Sequence, residues 1–160
     1  MSGNFDGEGN SFAAELMPDV VEAEGVTFRM ENNPADYNYI RCDGQTIPLP
    51  EKHGYTKCYL LVTSSHGDRK ASFQVDGKDY SVNVPFYSGF IGQWGWTGES
   101  EGYMKDASIA YIGTHRHSSR VGGNESYIYT YLYKICLDTA PDAKALTLPK
   151  DAGVALFAVT

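Results

Sequence analysis

The chain has 160 residues, 42% of them hydrophobic and 21% charged, with a formal net charge of −7, which is the balance of one globular domain long enough to bury a core. The acidic balance excludes a duplex nucleic-acid binder and disfavours an anionic membrane surface, since both need a basic footprint, and no window approaches the run of about 18 apolar residues that a membrane helix needs. The three cysteines, Cys42, Cys58 and Cys136, are odd in number and form no CxxC, which excludes a fully paired disulfide framework and argues against a zinc ribbon.

The chain opens on "NFDGEGNSFAAE" (4–15). Asp6, Glu8, Asn10 and Ser11 place several oxygen ligands close together, with glycines between them. As an EF-hand the segment fails: Glu8 stands where Asp or Asn is wanted, Gly9 is misplaced and the later Glu is absent. A structural calcium loop and a plain turn remain the two readings. "SFAAELM" (11–17) and "VTFRM" (26–30) read as strands, and "PDVVEAEG" (18–25) forms at most one helical turn. "NYIRCDGQTIPLP" (38–50) holds a strand, a turn and an edge, because Pro48 and Pro50 lack the donor a ladder needs.

"KCYLLVTSS" (57–65) is an apolar strand core. "RKASFQVDGKDYSVNV" (69–84) alternates on both sides of Asp76-Gly77, which is the strongest short signal for a hairpin. "GFIGQWGWTGESEGYMKD" (89–106) is too long and too rich in glycine for a plain turn, and it reads as a loop. "SIAYIGTH" (108–115), "SYIYTYLYKICLD" (126–138), "KALTLP" (144–149) and "GVALFAVT" (153–160) complete the strands. In the tyrosine-rich run, Tyr127, Tyr129, Tyr131, Tyr133, Ile135 and Leu137 share one face, and Ile128, Leu132 and Cys136 the other. No helix of about ten residues or more is visible, so the pattern is an all-β antiparallel sandwich.

Two places carry candidate chemistry. In the loop, Trp94, Trp96 and Tyr103 offer flat apolar faces on which sugar rings stack, with Gln93, Glu99, Glu101 or Arg116 to bond hydroxyls. The competing reading has Trp94 plugging the end of the core. In the strand, His115 and His117 share a face and Arg116 points the other way. Two imidazoles can ligate a metal, but zinc wants three or four ligands, and spacing fixes no third, although Glu125 or Asp106 could approach in the fold. A recognition surface and a structural role at the rim of the sandwich are the other readings, and no residue is assigned as catalytic or as a metal ligand. G-x-S-x-G, H-E-x-x-H and phosphate-binding glycine loops are all absent.

The segments "FDGEGNSFAAELMPDVVEAEGVTFRM", "GQTIPLPEKHGYTKCYLLVTSSHGDRKASFQVDG", "GFIGQWGW" and "YIGTHRHSSRVGGNESYIYTYLYKICLDTAPDAKALTLPKDAGVALFAVT" together resemble an ancillary β-sandwich of bacterial α-mannosidases of glycoside hydrolase family 38. The likeness is to a galactose-binding-like jelly roll over about residues 4 to 160. It implies a single module, 1–160, cut from a larger multidomain protein and placed outside the cell or in the periplasm. It implies no catalytic residue, and a polysaccharide or glycan as partner alongside the protein's own catalytic domain. The expected function is therefore a non-catalytic carbohydrate-binding module. Trp94, Trp96 and Tyr103 would stack on sugars, and Gln93, His115, Arg116 and His117 would bond hydroxyls, without a required cofactor. The alternative is an interdomain sandwich that docks on the catalytic domain and binds no sugar.

Overall fold

Lys57–Ser64 buries side chains on both faces, which is why its sequence reads as an almost unbroken apolar run. Cys58, Leu60 and Val62 face one hydrophobic core, and Leu61 faces a second. The computed structural model describes residues 3–31, 38–51, 54–90, 104 and 106–160, and among them it contains 13 strands and no α-helix. The strands are β1 (Asn10–Phe12), β2 (Val20–Ala23), β3 (Val26–Arg29), β4 (Ile40–Arg41), β5 (Thr46–Pro48), β6 (Lys57–Ser64) and β7 (Arg69–Val75). They continue as β8 (Lys78–Val84), β9 (Ser88–Gly89), β10 (Ala107–Ser118), β11 (Gly123–Asp138), β12 (Ala145–Thr147) and β13 (Val154–Val159).

Three layers result. The central sheet runs β1-β10-β11-β6-β13-β4, with β9 added on β11. A sheet of β5-β12-β7-β8 covers one face, and the β2–β3 hairpin covers part of the other. The first core joins Leu60, Val62, Ile135 and Leu156 of the central sheet to Phe73 and Leu146 of the four-stranded one. The second joins Leu61, Leu132 and Phe157 to Phe5, Val21 and Phe28. All the named strand pairs are antiparallel, so the expected antiparallel sandwich is the observed one.

The Asp-Gly hairpin forms as expected, with Phe73 opposite Tyr80 and Val75 opposite Lys78. Asp76 and Gly77 take φ of 48° and 83°, the left-handed pair of a type I′ turn. Pro48 ends β5, an edge strand, as its missing donor requires.

Three expectations need correction. The segment 11–17 is not one strand: β1 stops at Phe12, and Ala14–Leu16 winds into a 3-10 turn. The segment 18–25 has no helical turn, because Val20–Ala23 pairs with Val26–Arg29 across Glu24-Gly25, whose φ of 50° and 78° make a second tight turn. The tyrosine stripe is broken. Tyr127 has φ of 65° and lies 74% exposed, whereas Tyr131 and Tyr133 are fully buried. The cause is a register shift: Gly113 faces Thr130 while His115 faces Ser126, so two extra residues of β11 bulge out.

Candidate functional site

The His-Arg-His strand ends β10 beside the short edge strand β1, with Ser11 opposite His117 and Phe12 opposite Arg116. His115 and His117 share one face, with ring centroids 5.9 Å apart, as the period of two requires. Beyond Phe12 the chain turns back over this face in its 3-10 turn, which the Tyr111 hydroxyl holds by donating to the Leu16 carbonyl at 2.8 Å. That turn carries Glu15 above the histidines. Its Oε1 lies 3.3 Å from His115 Nε2 and 2.9 Å from His117 Nε2. The Glu15 carboxyl is held below the usual carboxylate range, first by its own backbone N–H and then by the two imidazoles, which together outweigh its partial burial. The two rings are largely shielded, and Glu15 is about half exposed.

Arg116 points to the opposite side, as expected, but it serves the fold there. Its Nε donates to Glu125 Oε2 at 2.7 Å, and Glu125 also pairs with Arg120. Burial pushes the Glu125 carboxyl up, and the two guanidiniums more than offset it, which holds it below the usual carboxylate range. The Arg116 guanidinium also stands beside the Tyr87 hydroxyl. Tyr87 in turn donates to Asp6 Oδ2 at 2.8 Å. The chain Asp6–Tyr87–Arg116–Glu125 thus ties the N-terminal turn to β10 and β11.

Within that N-terminal turn, Asp6 accepts from Glu8 N at 2.8 Å, Asn10 N at 3.1 Å and Asn10 Nδ2 at 2.8 Å, besides Tyr87. Gly7 and Gly9 take φ of 80° and 83°, and a Cβ on Gly9 would meet Ser119 Oγ at 2.0 Å, so the glycines serve the turn. Of the four oxygen-bearing residues read either as a calcium loop or as a plain turn, Asp6 and Asn10 are buried and bond to each other. These bonds are those of a hydrogen-bonded turn.

A groove of about 770 Å³ opens at the other end of the molecule, where the β2–β3 tip, β5 and the start of β6 meet. Its floor is apolar, with Ile47, Leu49 and Val159 packed onto the first core. Tyr55, Lys57 and Tyr59 stand along its wall. Tyr55 is 64% exposed. Among the described residues no Asp or Glu lines the groove.

The whole chain, 1–160, matches the family model described as the AziU2-like beta-sandwich domain. The protein belongs to the AziU2-like family. No curated protein matches the chain. The match shows the sandwich, while a glycoside hydrolase neighbour and a glycan ligand rest on the resemblance in sequence.

Of the site residues that the sequence of this AziU2-like domain singles out, the structure brings His115 and His117 together and sends Arg116 into an ion pair. Gln93, Trp94, Trp96 and Tyr103, with Glu99 and Glu101, lie outside the described residues. The carboxylates considered as partners for the histidines are engaged elsewhere, Glu125 with arginines and Asp106 with the Asn83 side chain at 3.0 Å. The carboxylate that does meet them is Glu15, 100 residues away along the chain, and no spacing rule links it to them. The groove is equally silent in sequence, because its lining comes from five separate segments.

Proposed function

We propose that this AziU2-like domain is a non-catalytic recognition module that seats a saccharide in the groove beside Tyr55. We further propose that it does so for a glycoside hydrolase domain of the same, extracellular protein. The observation that carries the reading is the groove itself: an open cleft with an apolar floor, an exposed tyrosine ring and hydroxyl groups on its wall. A sugar has the matching duality, with an apolar C–H face and a rim of hydroxyls. Glycoside hydrolysis needs two carboxylates flanking the ligand, and the described groove offers none. A shallow site with few stacked rings supports affinities of about micromolar to millimolar Kd.

The experiment is affinity gel electrophoresis against glucans, mannans, xylans and pectins. Retardation by one polymer class is expected, and Tyr55→Ala should remove it while changing stability by about 1 kcal/mol or less, since the ring is mostly solvated. Trp96→Ala, run alongside, separates the groove from the aromatic loop: loss of retardation in that variant alone moves the sugar to the loop. The apolar floor of Ile47, Leu49 and Val159 also suits a segment of a neighbouring catalytic domain. No retardation by any polymer would make that docking role the function.

A further inference from the structure

We propose that Glu15, His115 and His117 form a binding site for one divalent first-row transition-metal ion, with zinc(II) as the reference ion. The three ligand atoms come from two elements and converge, all lying within 4.8 Å of one another. A tetrahedral ion with bonds of about 2.0–2.1 Å sets its ligand atoms about 3.3 Å apart. Glu15 Oε1 stands 3.3 Å from His115 Nε2 and 2.9 Å from His117 Nε2, so the two edges that meet at the carboxylate are close to that spacing, and the third is within 4.8 Å. Two imidazoles and one carboxylate suit zinc, copper, iron and nickel better than calcium or magnesium. Metal binding replaces the protons that otherwise bridge the carboxylate and the two rings.

The surroundings fit the assignment. A ligating imidazole needs its other nitrogen fixed, and His115 Nδ1 has the Thr114 hydroxyl at 3.3 Å. The rings are shielded while Glu15 is about half exposed, so the remaining coordination position faces solvent and can take water or an oxygen ligand. The ion would also pin the 3-10 turn onto β10, which the Tyr111 hydroxyl and the Glu15 carboxylate otherwise hold there through hydrogen bonds. The proposal does not depend on the groove or on its ligand.

The test is titration of the metal-stripped chain with zinc(II) by calorimetry, with cobalt(II) as a spectroscopic probe and melting temperature as a second readout. One ion per chain is expected, with visible cobalt bands, a melting temperature that rises with zinc, and reversal by chelator. Glu15→Gln keeps the shape of the side chain and His117→Ala removes one ligand. Each should weaken zinc binding by about 100-fold or more, beyond the cost of losing an outer partner, whereas Thr114→Val should cost about tenfold. Equal uptake by the wild type and both ligand variants would place the ion elsewhere and overturn the proposal. So would the absence of saturable uptake by the wild type, which would leave the triad as an ion pair.

Discussion

Asp6 shows how one side chain can govern an acid limit. Burial alone would push its carboxyl up, but bonds from Asn10, the Glu8 N–H and the Tyr87 hydroxyl outweigh burial and hold it below its ordinary value of 3.8. A carboxyl whose pKa is depressed by folding adds stability above the unfolded value and loses it as pH falls through the folded one. Asp6 therefore stabilises the protein fully at neutral pH, and its contribution fades below about pH 4. Asp6→Asn should cost about 1–3 kcal/mol at pH 7, because the amide presents a donor where two donors already point. The gap between variant and wild type should close as pH is lowered toward 3. Urea unfolding at the two pH values measures this, and a gap that stays constant would show that Asp6 acts through packing rather than charge.

At the scale of the element, two hairpins share one turn geometry and were unequally visible. Asp76-Gly77 advertises itself, since Asp and Gly both accept positive φ. Glu24-Gly25 adopts the same geometry, but glutamate is no turn former, so the alternation of Val21, Ala23, Val26 and Phe28 was the only cue to a hairpin. Glu24 is held in its strained conformation from outside the hairpin, by an ion pair with Lys134 and a 2.9 Å bond from Ser108. The long strands β6, β7, β8, β10, β11 and β13 were legible because the period of two and the Asp-Gly turn are local signals. The bulge that breaks the tyrosine stripe was not, because it depends on how β10 and β11 register against each other. At the candidate site, the shared face of His115 and His117 followed from the same period, and Glu15 did not. At Gly25 and Gly77 an added Cβ would meet nothing within 4 Å. Gly25→Ala and Gly77→Ala should therefore each cost only the backbone penalty of a left-handed residue, about 1–2 kcal/mol. Thermal or urea denaturation checks this. A markedly larger loss at either position would mean that the turn rearranges and drags its strands out of register.

Across the whole molecule, the three thiols report whether the layers open together. Cys42 is fully buried, and burial, with a smaller push from Asp151, raises its thiol to about 12. Cys58 sits in the same core, and burial followed by Cys136 raises its thiol to about 11. Cys136 is exposed, 4.0 Å from the Lys57 ammonium. Disulfide exchange needs a thiolate and an open path to it. In the native protein at pH 8, an aromatic disulfide reagent should therefore titrate one thiol per chain quickly, and Cys136→Ser should remove that phase. Cys42 and Cys58 then react only through opening of the core. Cys42 is anchored by its N–H on Val154 O at 3.0 Å, next to the edge strand β4, whereas Cys58 lies on the central strand β6. Both thiols face the core that joins the central sheet to the four-stranded one. If those sheets separate only in global unfolding, the two slow phases should share one dependence on denaturant. If Cys42 reacts earlier and with a shallower dependence, the β4 edge opens by itself and the sandwich is not a single cooperative unit.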